Sequence, residues 1–67
     1  MSNTEKYEWE AYEIFIDEIG TKFIKLDNSH KYDYKIEITN SNGEIEEDYC
    51  DKEQLIDWNI QVSHVIL

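Results

Sequence analysis

The chain has 67 residues, with 16 Asp and Glu against 6 Lys and Arg, for a formal net charge of −10. A chain of this size forms one small domain that buries only about 60% of its unfolded surface, too little to wall in a large catalytic cleft. The acidic excess argues against direct binding to DNA, RNA or an anionic membrane, because phosphates are held by basic side chains that release counterions.

Residues 1 to 18 carry a net charge of −5 and open on an ambiguity. Tyr12, Ile14 and Ile16 alternate with Glu13, Phe15 and Asp17, and after Gly20 comes Lys22-Phe23-Ile24-Lys25-Leu26, which reads as a hairpin turning through a glycine at positive φ. A helix over Thr4 to Ile19 is the alternative. It gathers Lys6, Glu10, Glu13 and Asp17 on one side and Tyr7, Ala11, Ile14, Phe15 and Ile19 on the other. The next stretch, 19 to 43, is nearly neutral at +1. Within it Tyr34, Ile36 and Ile38 repeat the Tyr-x-Ile-x-Ile pattern, and Asn40-Ser41-Asn42-Gly43 leads into Glu44 to Tyr49, a second hairpin.

Residues 44 to 57 carry −6, and the last ten residues are uncharged. Asp51 followed three places later by Gln54 has capping-box spacing, with Glu53 in the first turn. The spacing predicts a helix over Lys52 to Trp58 that presents Leu55, Ile56 and Trp58 to the sheet and stops at Asn59. Ile60, Val62, His64 and Ile66 then alternate with Gln61, Ser63, Val65 and Leu67. This last strand is apolar on both faces near its end, as expected of a central strand or of an end covered by a second copy through Val65, Ile66 and Leu67. The expected fold is α+β, a mostly antiparallel sheet of hairpins with one short helix near the C-terminus. It forms a single domain over 1 to 67, with residues 1 to 6 expected to be disordered.

A hydrophobic content of 40%, with two Trp, five Tyr and two Phe, is too high for a disordered acidic tail. Cys50 is the only cysteine. No charged-then-apolar leader is legible near the N-terminus, so a reducing, cytoplasmic setting is expected. The longest apolar runs, Ile14 to Ile16 and Val65 to Leu67, fall far short of the roughly 18 residues of a membrane span.

The strand Glu44 to Tyr49 carries the most chemistry. Ile45, Glu47 and Tyr49 would point one way and Glu44, Glu46 and Asp48 the other, about 6.6 Å apart. A row of carboxylates at that pitch imitates a row of phosphates, which advance about 3.4 Å along the axis on each DNA strand but lie further apart through space. Asp51, Glu53 and Asp57 extend the row, and Glu5, Glu8, Glu10 and Glu13 supply a second. The bland counterpart is a solvated acidic face. In length, acidity, absence of arginine and the succession strand, turn, strand, helix, strand from about Tyr34 to Leu67, the chain resembles the small acidic inhibitors encoded by bacteriophages. These occupy the DNA site of a host protein such as uracil-DNA glycosylase, a restriction enzyme, a CRISPR effector or the nucleoid protein HU. The resemblance implies a non-enzymatic DNA mimic acting in the host cytoplasm on a basic nucleic-acid-binding protein.

Other chemistry is weakly signalled. Asn40 to Gly43 has the glycine of a calcium loop but not its preceding aspartates, and no cofactor motif is present. Cys50, His30 and His64 contain a nucleophile and bases without a spacing that joins them. Cys50 reads as a packed thiol, with a link between two chains as the alternative, and His64 as a partly buried strand residue. Trp9, Tyr7, Tyr12, Tyr32 and Tyr34 exceed what so small a core needs; most read as core or half-buried strand residues, and aromatics within an acidic rim also suit an interface. The alternative function is a small adaptor or subunit that binds a protein partner through the C-terminal strand and helix, its acidity serving solubility.

Overall fold

The computed structural model describes residues 7–66. A 3-10 turn, Glu8–Ala11, precedes strands β1 (Ile14–Asp17), β2 (Lys22–Lys25), β3 (Tyr34–Thr39) and β4 (Ile45–Cys50), helix α1 (Lys52–Trp58) and strand β5 (Val62–Ile66). The strands form one sheet in the order β4-β3-β2-β1-β5, every pair antiparallel. The fold is therefore α+β and mostly sheet, with its helix near the C-terminus. The expectations for residues 1 to 6 and for Leu67 lie outside the described residues.

The N-terminal ambiguity resolves as a hairpin behind a single 3-10 turn. Phe15 pairs with Phe23 and Phe23 with Ile36, so these three side chains share one face of the sheet. The aromatic rings of Phe15 and Phe23 stack at 5.0 Å, and Trp9 stacks on Phe15 at 5.8 Å. A helix would have scattered this aromatic column. The two Tyr-x-Ile-x-Ile segments nevertheless face opposite ways. Tyr34 and Ile36 are buried in the core, whereas Ile14 and Ile16 lie on the open face opposite Ile24 and Lys22. Bulk decides the orientation, because Phe15 and Phe23 bury more apolar surface than the isoleucines between them.

Leu55 of α1, Cys50 and Trp9 complete the core with Phe15, Phe23, Tyr34 and Ile36. Only one face of the sheet is thus covered by helix and turn. On the other, Lys22, Glu37, Lys35 and Glu47 form a ladder of ion pairs from 3.0 to 3.9 Å. The Asp51 N–H donates to Gln54 Oε1 at 2.9 Å, one arm of the predicted capping box. Asn59 stops the helix in the left-handed region at φ 52°, a conformation asparagine tolerates better than most residues. Trp58, the last helical residue, faces the sheet residues Phe23, Ile36 and Ile38 across a cleft, and is 52% exposed. β5 is an edge strand, not a central one. A register shift opposite Ile16 and Asp17 leaves room for Ser63, whose hydroxyl donates to the Asp17 carbonyl oxygen at 2.6 Å. His64 is exposed, contrary to expectation, because its side of the sheet has no covering layer.

Gly20 and Gly43 take φ of 93° and 86° in the two hairpin turns. A Cβ on Gly43 would meet nothing within 4 Å, so the Gly43→Ala change isolates the backbone term. It is expected to lower stability by about 1 kcal/mol, read as a shifted urea midpoint with an unchanged slope.

Candidate functional site

Strand β4 is the outer edge of the sheet, and every residue from Ile45 to Tyr49 is exposed. Glu46 stands opposite Ile38 and Asp48 opposite Ile36, which places both carboxylates on the helix side. Glu44 precedes them in the turn, where its N–H donates to Asn40 Oδ1 at 3.0 Å. Glu47 projects to the open face, and Lys35 Nζ binds it at 3.0 Å. The row therefore divides: Glu46 and Asp48 keep the strand's alternate spacing, Glu44 stands in the turn before them, and Glu47 is held by a lysine.

The chain turns from β4 into α1 at Asp51. Glu53 and Asp57, both exposed, follow one helical turn apart on a shared face. In the second predicted row, Glu8 and Glu13 are exposed, but Glu10 is half-buried and its carboxylate meets Lys52 Nζ at 3.1 Å. That contact ties the N-terminal turn to the start of α1.

Sequence reasoning missed an apolar cleft beside the acidic row. It has a volume of about 280 Å³, a floor of Phe23, Ile36 and Ile38, and Trp58 and Ile60 above. Asp48 lines it on the β4 side and Asp17 on the β1 side. Ile38 is 41% exposed, and Ile19, in the neighbouring hairpin turn, is 86% exposed. The available signal was the length of β3: its last inward position, Ile38, lies beyond the reach of a two-turn helix. Of the five aromatics, Trp9 and Tyr34 are buried in the core and Tyr7, Tyr12 and Tyr32 are half-buried, in keeping with their reading as core or half-buried residues. Tyr32 and Tyr49 stack at 5.7 Å, with His30 against Tyr49 at 5.4 Å.

The Cys50 thiol is fully buried. Burial, reinforced by the charges of Asp51, Asp48 and Asp33, pushes its pKa up to about 11, so it is neither a nucleophile at neutral pH nor placed to link two chains. Burial likewise raises Tyr34 to about 12, with Glu10 and Asp33 adding to the effect. Both groups are neutral when protonated and titrate lower in the unfolded chain, at about 9 and 10. The unfolded state therefore releases protons first as pH rises, and stability falls with pH. The urea midpoint is expected to lose this contribution progressively between about pH 9 and pH 12, and Cys50→Ala to flatten its lower part.

Among the described residues no helix is long and apolar enough to cross a membrane, and no three His, Cys, Asp or Glu side chains are grouped to hold a metal. The chain matches no family model, no curated protein and no solved structure in the comparisons made with each.

Proposed function

We propose that the protein is a non-enzymatic DNA mimic that lays its acidic edge in the nucleic-acid site of a basic host protein. The observation that carries this reading is the uncovered edge strand β4, with Glu46 and Asp48 at alternate positions, Glu44 in the turn before them, and Asp51, Glu53 and Asp57 following. Alternate strand positions recur about every 6.6 Å, a spacing at which a rigid backbone holds like charges apart yet in line. Carboxylates so fixed attract lysines and arginines arranged for phosphates, and raise the association rate more than they slow release. The like-charge repulsion within the row costs stability in the free protein and is relieved when a basic surface closes over it.

The test is capture from nuclease-treated bacterial lysate on the immobilised protein, eluted in salt steps. A basic DNA-binding protein leaving between low and moderate salt, and displaced by duplex DNA, is the expected result. A captured protein that resists salt and ignores DNA contradicts it.

One observation favours the adaptor reading. Ile66, Ile14 and Ile24 pair side by side across β5, β1 and β2 on the open face, next to an uncharged sheet edge. There the acidity of β4 would serve only to keep an exposed edge from pairing with other chains, and a protein partner or a second copy would lie along β5 through Val65 and Ile66. Salt-resistant capture that is lost in Ile66→Ser would establish that reading.

A further inference from the structure

The cleft beside the acidic row is better formed than a solvated face requires. Its floor is apolar, its two sides are carboxylates, and Trp58 stands over it half exposed. Asp17 is the informative residue, at only 9% exposure. Its Oδ1 accepts the N–H groups of Ile19 at 3.1 Å and Thr21 at 2.8 Å, which fixes the β1–β2 turn. Its Oδ2 accepts no hydrogen bond from the described residues and is not sealed from solvent. Its second oxygen thus faces the cleft, where a cationic donor of a ligand can take the place of water.

We propose that this cleft takes a short extended segment of the basic partner, an apolar side chain flanked two residues to either side by lysine or arginine. The inference rests on the mimic reading and names the chemistry of its contact. Three arguments select this occupant over a second copy of the chain. First, the surrounding charge is negative: Asp48 and Asp17 line the cleft, and Glu46 and Glu18 are exposed beside them, so another acidic chain is repelled. Second, the volume of about 280 Å³ lies at the lower edge of the range of small-molecule pockets and has room for an apolar side chain together with part of its backbone. Third, the reach suffices. Asp48 lies level with Phe15 across the sheet and Asp17 two residues further along β1, so their positions are about 16 Å apart, and the roughly 13 Å between the first and fifth residues of an extended segment is completed by the length of a lysine side chain. The apolar side chain then rests on Phe23, Ile36 and Ile38 while one cation reaches Asp48 and the other the free oxygen of Asp17.

The blocked pentapeptide Lys-Ser-Leu-Ser-Lys is the probe, titrated into 15N-labelled protein and followed through the Trp58 indole N–H and the amides of Phe23, Ile36 and Ile38. Lys-Ser-Ser-Ser-Lys and Glu-Ser-Leu-Ser-Glu are the controls. The leucine peptide is expected to shift these signals and to bind at least tenfold more tightly than the serine peptide, from the leucine surface removed from water. Ile38→Ser, at a partly exposed position that spares the fold, should erase that difference, and Asp48→Asn should weaken the lysine peptides alone. Equal binding of the two lysine peptides overturns the cleft proposal while leaving the acidic edge attractive to cations. Equal binding of the acidic peptide overturns it by reducing the cleft to an apolar patch. Failure of both lysine peptides to bind overturns the cleft proposal and counts against the mimic reading as well.

Discussion

Phe15→Ala is expected to unfold most of the protein at 37 °C. Phe15 is fully buried, stacks on Phe23 at 5.0 Å and Trp9 at 5.8 Å, and meets Tyr34 edge-on at 6.0 Å. It is the residue through which the sheet, the N-terminal turn and the helix share one core. Truncating a buried phenylalanine costs about 3–5 kcal/mol, against roughly 3–10 kcal/mol of stability for a domain of this length. The domain has little reserve, because half of its sheet surface is uncovered and its two acidic blocks repel. Far-UV circular dichroism during urea unfolding measures the effect. Phe15→Leu, which keeps most of the volume, should retain a cooperative transition at a lower midpoint. A Phe15→Ala midpoint within experimental error of the parent would show that the aromatic column is not the centre of the core.

Neutralising Glu44, Glu46 and Asp48 together, to Gln, Gln and Asn, is expected to weaken binding of the captured basic protein roughly tenfold at low salt, if each lost contact contributes about 0.5 kcal/mol. The fold should not suffer. All three side chains are exposed, asparagine keeps the oxygen that accepts the Tyr49 N–H at 2.8 Å, and three like charges are removed from one edge. The thermal midpoint should hold or rise. Glu47→Gln is the internal control: its carboxylate is already occupied by Lys35 at 3.0 Å, so affinity should stay within about twofold. Calorimetric titration against the captured protein reads both effects. A triple variant that binds as tightly as the parent would remove β4 from the interface.

Much of the fold was legible because its signals are local. Gly20 and Gly43 marked turns that only positive φ closes, the Asp51 to Gln54 spacing marked the start of the helix, and Asn59 marked its end. What failed was non-local. Alternation in β1 does not say which set faces the core, since Ile14 and Ile16 are as apolar as Phe15; pairing with Phe23 and Ile36 decides it. Trp58 faces the sheet as its spacing predicts, but its exposure was not legible, because the core was already filled by Trp9 and Leu55. β5 read as a central strand or as one covered by a second copy because both of its faces are apolar near the end, yet an edge strand carries the same pattern when one face meets the core and the other joins an isoleucine row on the open face. The acidic row was readable from spacing alone. The cleft beside it was not, because it depends on where α1 ends above the sheet and on Asp17 being drawn under the turn by its own hydrogen bonds.

The most direct test of the central claim asks whether the basic protein captured from lysate can hold duplex DNA and this protein at once. Fluorescence anisotropy of a labelled duplex bound to that partner, titrated with the acidic protein at several salt concentrations, answers it. The mimic account predicts complete displacement of the duplex, with an affinity for the acidic protein that falls steeply as salt rises. A ternary complex in which the duplex stays bound, or displacement that salt does not weaken, would contradict it.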